Sequence, residues 1–427
     1  MNDEPAPDDS LPLLALVYGS LSMEQPLRHL IEASTGVCRP LWVLPFDRKG
    51  SRSALRLLKA QGELGGDVLD ASKMSASEAA EALGERRPHG IVCLIDETIM
   101  WTAEVANRID LPFHTLPTAT QLTDKFEQRT ALRAYGLPTP DFWKAEDVAD
   151  EGVAADVMRK AGFPVVLKPR RGTSGRDSEP LRSEQALREA AAAVEPETML
   201  IEAYIPDPTT AVVGPGSAPY ASVELAVSDG VISVFGVTGR TPLAEPFRET
   251  GQIFPADVDP ATRSALIDAA SAATRALGIT NGVLHVEIKI TDDGPVVIEV
   301  NGRPGGLRLR EIVKRATGVD LIQLEMRLAL GERFAYTDVE TRPGVDFMYL
   351  VQPNMNLRRI TSVDGLDAVR AIPGVERVVP GIAQGSAFSW RTGTLSFAAE
   401  ISGTAADHEA ARRIRDQVLA SVVVSGE

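Results

Sequence analysis

Four short apolar runs within the first 112 residues constrain the fold more than any other feature of the sequence. They occupy residues 13–18, 41–44, 68–69 and 91–95, and segments with helical spacing lie between them. Continuous apolar runs that alternate with amphipathic helices are typical of a parallel sheet covered on both faces. The sequence therefore predicts a small doubly wound domain at residues 11–122, preceded by a disordered tail at residues 1–10.

The connections between these runs narrow the class of protein. A helix containing Leu55, Leu57 and Leu58 is predicted after the second run. The turn after the first run, residues 19–24, reads Gly-Ser-Leu-Ser-Met-Glu and lacks the spaced glycines of a dinucleotide-binding loop. A nicotinamide-dependent enzyme is therefore disfavoured.

Length and charge exclude several partners. The chain has 427 residues, too many for one hydrophobic core, so two or three packed units are expected. Lys and Arg total 44 and Asp and Glu total 59, which leaves no sequence-wide basic surface for nucleic acid or anionic lipid. The N-terminal residues lack a secretory pattern, and no apolar run approaches membrane-spanning length. We expect a cytoplasmic protein that binds neither nucleic acid nor membrane.

The pattern changes after residue 122, and Asp124 is predicted to cap a helix there. Strands are predicted at 165–169 and 199–205 with a helix at 181–194 between them, which indicates a lid subdomain at residues 123–206. Two predicted hairpins, turning at residues 229–230 and 292–294, indicate a C-terminal domain with a mixed sheet at residues 207–427. The sequence leaves open whether the trailing lobe, from about residue 345, is a separate unit. The predicted fold class is thus α/β and α+β.

The strongest chemical signal is a pair of strands rich in oxygen ligands. Alternate residues of a strand share a face, so Glu299, Asn301 and Arg303 are predicted to project together, and Glu287 joins them if the two strands pair. Two carboxylates and an amide oxygen are hard ligands suited to Mg²⁺. Solvated charges on a hairpin edge are the alternative, but the apolar run at 296–298 argues against it because buried carboxylates need partners.

A second signal follows the strand that ends in Lys168. The segment Gly172, Thr173, Ser174 and Gly175 offers backbone amides and hydroxyl groups that could fold over phosphate oxygens. A Gly/Ser segment alone is usually only a loop, so its position after the lysine carries the hypothesis.

Together, and in this order, these segments resemble the ATP-grasp superfamily over residues 111 to 331. The resemblance implies an ATP-grasp fold, with ATP and Mg²⁺, or Mn²⁺ in its place, as cofactors. It implies the metal ligands Glu287, Glu299 and Asn301, and Arg303 as the catalytic arginine. The implied nucleotide-binding residues are Lys125, Lys168, Gly172, Thr173, Ser174, Gly175, Glu202, Ala203, Ile205 and Glu224.

Within the superfamily, the chain resembles L-amino acid ligases and related carboxylate–amine ligases most. The segment from Phe247 to Gln252 carries the likeness, with Glu249 and Gly251 at matching positions. Gln252 stands where those ligases commonly have a histidine, and a glutamine can orient a substrate but cannot act as a base near neutral pH. Glu249 is the second predicted catalytic residue. The predicted substrate residues are Glu97, Gln252, Gly305, Gly306, Arg308 and Arg310.

Several of these residues also have a purely structural alternative. Gln252 could merely pack a loop, Arg308 and Arg310 could be solvated, and Glu97 is more simply a helix N-cap acid. The predicted function is ADP-forming ligation of a small-molecule carboxylate to an amine through an acyl phosphate, by a chain that is a homodimer by default. The alternatives are an ATP-grasp carboxylase, a carboxylate–thiol ligase or a non-catalytic nucleotide-binding protein.

Overall fold

The N-terminal sheet is parallel, as the apolar runs predict. The structure is a computed structural model that describes residues 10–19, 27–46, 59, 65–337 and 339–427. The sheet has the strand order β3-β2-β1-β4, with every pairing parallel. Its strands are β1 (Leu13–Val17), β2 (Arg39–Leu44), β3 (Asp67–Asp70) and β4 (Gly90–Cys93). The helix predicted around Leu55 and Leu58 lies outside the described residues.

Helices cover both faces of this sheet. On one face, α2 (Ala76–Arg86) and α3 (Asp96–Arg108) pack against Ala15, Val17 and Leu41. On the other, α1 (Leu27–Ser34) packs beside α10 (Leu321–Ala329), whose Ile322 and Met326 contact the core around Trp42. A helix from far along the chain therefore completes the N-terminal layer.

A small antiparallel sheet forms the lid and has its own core. Its strand order is β5-β8-β6-β7. The strands are β5 (Phe142–Lys144), β6 (Val165–Pro169), β7 (Glu179–Leu181) and β8 (Met199–Ala203), covered by α6 (Glu151–Lys160) and α7 (Glu184–Ala193). The predicted helix at 181–194 was wrong at its start, because Ser183 caps α7 and Leu181 pairs within the sheet.

Two short helices join the N-terminal domain to the lid. These are α4 (Leu116–Thr123) and α5 (Lys125–Ala134). Asp124 caps α5 as predicted, since its carboxylate accepts a hydrogen bond from the backbone N–H of Phe126. The same carboxylate pairs with Arg170 at the end of β6, at 2.8 Å. This contact holds the start of α5 against the lid strand.

The largest sheet has eight strands in the order β13-β12-β9-β10-β11-β14-β17-β16. We predicted a mixed sheet, whereas every pairing is antiparallel, because hairpin turns join β9 to β10 and β12 to β13 directly. The strands are β9 (Ala218–Ser228), β10 (Val231–Arg240), β11 (Gly251–Phe254), β12 (Gly282–Thr291), β13 (Gly294–Asn301), β14 (Val345–Val351), β16 (Val375–Pro380) and β17 (Ala399–Ala405). The helices α8 (Pro260–Ala276) and α9 (Leu309–Thr317) pack on it.

The trailing lobe is continuous with this sheet and is not a separate unit. Strand β14 pairs with β11 on one side and with β17 on the other. The other elements of the lobe are β15 (Ile360–Asp364), β18 (Val423–Gly426), α11 (Leu366–Arg370) and α12 (His408–Ser421). Among the described residues, no helix combines the length and apolarity needed to cross a membrane.

Candidate active site

Polar side chains converge on one face of the large sheet. The register places Glu287 on β12 opposite Glu299 on β13, and His285 opposite Asn301. On the other side of β12, His285 lies opposite Glu224 of β9. Because alternate residues of a strand point to the same face, these groups form one polar patch on the sheet.

A β-bulge makes this arrangement. The pairing runs evenly from the turn up to Ile288 opposite Val297, and then shifts so that Glu287 faces Glu299 rather than Ile298. Without the extra residue, Glu287 and Glu299 would project from opposite faces of the sheet. The predicted proximity of the two carboxylates therefore depends on the bulge.

The carboxylate of Glu287 is held as an anion. The hydroxyl of Tyr220 donates to it at 2.6 Å, and the imidazole Nε2 of His285 lies 3.4 Å away. Burial alone would raise the pKa of Glu287, but His285 and Tyr220 lower it to about 2. Glu287 is thus available as a charged oxygen ligand at any physiological pH.

Beneath it, His285 is a buried cation. Its Nδ1 lies 2.8 Å from the carboxylate of Glu224, which is itself fully buried and accepts hydrogen bonds from Ser222 and Thr238. Burial alone would lower the pKa of His285, but Glu224 and Glu287 raise it to about 9. The positive imidazolium therefore lies between two carboxylates, those of Glu224 and Glu287.

The opposite wall of the site comes from α5 and the lid. The ammonium group of Lys125 pairs with Glu299 at 2.8 Å and donates to the backbone carbonyl of Gly172 at 2.7 Å. One lysine therefore bridges the predicted metal site and the glycine-rich loop.

Lys168 is held by a buried ion-pair network. Glu202 on β8 pairs with the ammonium group of Lys168 and, at 2.8 Å, with the guanidinium of Arg129. Burial raises the pKa of Glu202, but these two cations hold it below its usual value. The carboxylate of Glu202 is thus occupied in positioning Lys168, and the N–H of Ala203 is occupied by the carbonyl of Asp141.

A cavity of about 830 Å³ lies between the lid and the large sheet. This volume is within the range of natural small-molecule sites. Most of the predicted site residues line it. They are Lys125, Lys168, Gly172, Thr173, Ser174, Gly175, Glu202, Ala203, Ile205, Glu249, Gln252, Glu287, Glu299, Asn301, Arg303 and Gly306.

Five predicted residues do not line the cavity. Glu224 lies below His285, Glu97 is on the exposed side of α3, and Gly305 packs closely against Leu309 and His285. Arg308 pairs with Glu400 and Glu311, and Arg310 pairs with Asp320 and Glu32. These ion pairs occupy both guanidinium groups, and the predicted contact of Arg308 and Arg310 with substrate stays a prediction. The predicted roles of Glu97, Glu224 and Gly305 likewise stay predictions, although the three residues lie outside the cavity lining.

Two further residues were missed by the sequence analysis. Asp96, the neighbour of the predicted Glu97, pairs with the guanidinium of Arg303 at 2.6 Å and thereby orients it. Arg240 at the end of β10 is fully buried and pairs with Glu249 at 3.2 Å. Strand alternation was a usable signal for Arg240, whereas the contact of Asp96 depends on the packing of two domains.

Gln252 also lines the cavity, on the strand beside Arg240. Its register partner on β10 is Arg240, and its side chain is only 3% exposed. The Gln252 oxygen Oε1 is buried and has no hydrogen-bond partner among the described residues. A buried acceptor without a partner is costly, so a donor group on a ligand would satisfy it.

The ligand set fits a hard cation. No group of three or more His, Cys, Asp or Glu side chains able to hold a metal occurs in the ranges that the structure describes. The predicted set has two carboxylates, from Glu287 and Glu299, with the amide oxygen of Asn301. Two opposed anions beside a carbonyl-type oxygen suit Mg²⁺ that also keeps water or phosphate oxygens.

Comparison with known proteins agrees with this geometry. Residues 122–307 match the model of the ATP-grasp domain family. The L-amino acid ligase of Bacillus licheniformis has a similar structure, with a TM-score of 0.75 and 21% identity over 97% of this chain and 99% of that one. At this identity the likeness shows the fold. The two-sheet cavity and the matched segment show that residues 122–307 form a domain with the ATP-grasp fold.

Two sequence relatives extend the comparison. The uncharacterized protein y4rH of Sinorhizobium fredii is 28% identical over 300 residues, which cover 68% of this chain and 58% of that protein. Human carnosine synthase 1 is 31% identical over 156 residues, covering 35% of this chain and 18% of the synthase. The chain thus spans little more than half of the first relative and under a fifth of the second.

Proposed function

We propose that the chain is an ATP-dependent, ADP-forming ligase that joins a small-molecule carboxylate to an amine, with amino acids or similar metabolites as substrates. One observation carries the proposal: Glu287 and Glu299 oppose each other on the sheet, with Arg303 in the same cavity and Lys168 on the facing wall. This set supplies the charge neutralisation that phosphoryl transfer needs.

The nucleotide would lie between the lid and the sheet. Lys125 and Lys168 offer two ammonium groups to the phosphates, and the backbone of residues 172–175 offers amides. Ile298, Ala203 and Ile205 also line the cavity, and we assign them to the flat base of the nucleotide.

Glu287, Glu299 and Asn301 would hold Mg²⁺. When bound, this ion neutralises phosphate charge and fixes the position of the transferred group. The pair formed by Lys125 and Glu299 would then rearrange, so that the lysine contacts phosphate oxygens while the carboxylate contacts the metal.

The chemistry that we propose has two steps. A substrate carboxylate oxygen attacks the γ-phosphorus, the bond to the β-phosphate oxygen breaks, and ADP leaves with that electron pair. The amine nitrogen then attacks the acyl carbon, the bond from that carbon to the phosphate oxygen breaks, and the departing phosphate takes the electron pair and the proton that the nitrogen loses. Arg303, oriented by Asp96, would stabilise the oxyanion formed at the acyl carbon.

Two residues of the segment after β10 would orient substrate. Glu249, beside Arg240, offers a carboxylate to an ammonium group of an amino acid. Gln252 offers its unpaired oxygen to an N–H or O–H donor but cannot accept a proton near neutral pH. The names of the relatives, which include an L-amino acid ligase and a carnosine synthase, support an amide-forming reaction.

The test is incubation of the purified chain with ATP, Mg²⁺ and a panel of amino acids, singly and in pairs. We expect ADP and phosphate only with a particular pair, together with a product whose mass equals the condensed pair. Nucleotides and acyl products are measured in the same sample by liquid chromatography and mass spectrometry.

Three other outcomes would contradict the proposal. Release of AMP and pyrophosphate would indicate that the intermediate is an acyl adenylate and not an acyl phosphate. ADP release stimulated by bicarbonate or a thiol, and not by amines, would indicate a carboxylase or a carboxylate–thiol ligase. Binding of ATP without turnover across a panel that also contains non-amino-acid carboxylates would indicate a non-catalytic nucleotide-binding protein.

A further inference from the structure

A short segment of the trailing lobe reaches the cavity from outside the matched ATP-grasp domain. Residues Trp390–Leu395 form a 3₁₀ turn between β16 and β17, and we call this segment the C-terminal seat. Two of its residues, Thr394 and Leu395, line the cavity, and Thr394 is only 3% exposed. The seat therefore forms part of the cavity wall.

The glycine-rich loop rests on this seat. The backbone N–H of Thr394 donates to the carbonyl of Ser174 at 2.8 Å, and the N–H of Asp177 donates to the carbonyl of Arg391 at 3.0 Å. The guanidinium of Arg391 also pairs with Glu179, at the start of β7, at 3.1 Å. Two backbone hydrogen bonds and one ion pair thus join the lid to the seat.

The same seat fixes the backbone of Glu249. The hydroxyl of Thr394 accepts a hydrogen bond from the N–H of Glu249 at 3.0 Å. The side-chain amide of Gln352 donates to the carbonyl of Glu249 at 2.8 Å and to the carbonyl of Thr394 at 3.0 Å. The seat thus satisfies the N–H of Glu249, and Gln352, which also binds the seat, satisfies its carbonyl.

The close approach of loop and seat requires a glycine. Gly393 has φ 75°, and a Cβ atom there would lie 2.2 Å from the carbonyl oxygen of Ser174 and 2.9 Å from the nitrogen of Arg176. Both contacts are with backbone, so the loop would have to move. In contrast, Gly385 in the same lobe has φ 81° with nothing within 4 Å of its Cβ position.

We propose that Thr394 is a positioning residue of the ligase reaction, through which the C-terminal seat couples the glycine-rich loop to Glu249. Its backbone holds the loop and its hydroxyl holds the substrate segment, so the two move together. The consequence for turnover rests on the function proposed above, whereas the contact between loop and seat does not.

Loss of this coupling has a specific chemical consequence. A loop that leaves the seat admits water to the acyl phosphate. Water then attacks in place of the amine, which returns the carboxylate and phosphate while ADP has already been released. A variant with a weakened seat is therefore expected to form ADP without amide. A general loss of activity would instead lower the formation of both products.

The first experiment compares Thr394→Val with Thr394→Ser. Valine keeps the shape but leaves the N–H of Glu249 without its acceptor, and serine restores the hydroxyl. With the substrate pair that supports wild-type turnover, we expect valine to raise the KM of the carboxylate substrate about tenfold and to lower the ratio of amide to ADP. The serine variant should retain wild-type KM and ratio. Equal, wild-type values for both variants would overturn the role of Thr394.

The second experiment needs no turnover. Hydrogen–deuterium exchange of the full chain without nucleotide is compared for wild type, Gly393→Ala and Gly385→Ala, with thermal unfolding measured on each. We expect amides in residues 172–178 to exchange about tenfold faster only in Gly393→Ala, because the alanine displaces the loop. The Gly385→Ala variant controls for alanine at positive φ.

The outcomes separate the two proposals. If Gly393→Ala folds but its loop exchanges like that of wild type, the seat does not hold the loop and the inference is wrong. If wild type makes no amide but the loop is released in Gly393→Ala, the proposed reaction fails while the contact between loop and seat stands. In that case the amides of residues 247–252 must also exchange faster in Thr394→Val than in wild type. Exchange at the wild-type rate in those residues would overturn the positioning role of Thr394.

Discussion

At the scale of single residues, every acidic side chain of the polar patch has a polar partner. Glu299 pairs with Lys125, Glu287 accepts from Tyr220, and Glu224 pairs with His285. Buried carboxylates need such partners to remain charged. The pair nearest the glycine-rich loop, Lys125 with Glu299, is the one that bound phosphate and metal would separate.

Replacing Glu299 by glutamine tests the predicted metal ligand. Glu299→Gln is expected to lower turnover roughly a hundredfold or more, because the metal and phosphate charge lose a shared anionic ligand. ADP formation with the active substrate pair measures it. Asp293→Asn, which makes the same chemical change in the exposed turn of this hairpin, is the matched control. Near-wild-type turnover of Glu299→Gln would remove this residue from the site.

Glu325 on α10 is a buried carboxyl away from the cavity. Its Oε2 accepts a hydrogen bond from the N–H of Val283, and no other hydrogen bond to it is found within the described ranges. Burial raises its pKa to about 7, against the opposing effect of this hydrogen bond. The folded state thus binds the proton more tightly than the unfolded state does.

The sign of the resulting pH dependence is fixed by that raised pKa. Stability from Glu325 is fully present below its unfolded pKa, about 4.5, and is lost as pH rises through about 7. As pH rises from 4.5 to 8, we expect the free energy of unfolding of wild type to fall by about 3 kcal/mol relative to that of Glu325→Gln. Denaturant unfolding across this range measures the gain. The exposed Glu104→Gln is the control, and a pH-independent difference between Glu325→Gln and wild type would contradict the prediction.

At the scale of elements, α5 connects the lid to the floor of the site. Gln128 hydrogen-bonds both the N–H and the carbonyl of Val300 on β13, which is the edge strand of the large sheet. Arg129 donates to the carbonyl of Ile298, at the bulge, and pairs with Glu202 of the lid. An edge strand needs such cover because its backbone groups have no neighbouring strand. The helix therefore stabilises the bulge and the lid together.

This linkage predicts a large effect for one arginine. Arg129→Met is expected to destabilise the fold by about 3 kcal/mol, since Glu202 loses one of its two buried cations and the carbonyl of Ile298 loses its donor. Thermal or denaturant unfolding measures the loss. Arg133→Met, one turn further along α5 and half exposed, should change stability by less than about 1 kcal/mol. Equal effects of the two substitutions would contradict the linkage.

At the scale of the whole molecule, the trailing lobe completes the sheet that carries the site. All seven residues of β14 are buried, and Met348 and Leu350 pack in the core with Leu309 and Ile312 of α9. The residues after 343 thus support the strand that holds Gln252, because β11 pairs with β14. The ATP-grasp segment is consequently not expected to fold alone.

A truncation tests this dependence. A chain that ends at residue 343 is expected to lose cooperative thermal unfolding and to bind a hydrophobic dye, because each apolar side chain uncovered on α9 costs about 1.5–3 kcal/mol. A chain that ends at residue 422 lacks only β18, which is largely exposed, and should still unfold cooperatively. Cooperative unfolding of the shorter chain near the wild-type temperature would show that the lobe is independent.

Several local features could be predicted from the sequence. The four parallel strands, both hairpin turns and the cap at Asp124 appear where the patterns indicated them. These features depend on residues close in sequence, through strand alternation, turn chemistry and capping. The resemblance to the ATP-grasp superfamily came from the same local motifs, and the model of the ATP-grasp domain matches residues 122–307.

The tertiary structure decided the contacts that build the cavity. Alternation alone could not place Glu287 and Glu299 on one face, since that needs a bulge whose carbonyl is bound by Arg129, 169 residues away. Likewise, Asp96 orients Arg303 and Thr394 holds Glu249 only because separate layers pack together. The sequence by itself determined which groups the chain carries and which strand each occupies, because those depend on near neighbours. Which groups meet was decided by burial and long-range hydrogen bonds, which no local pattern encodes.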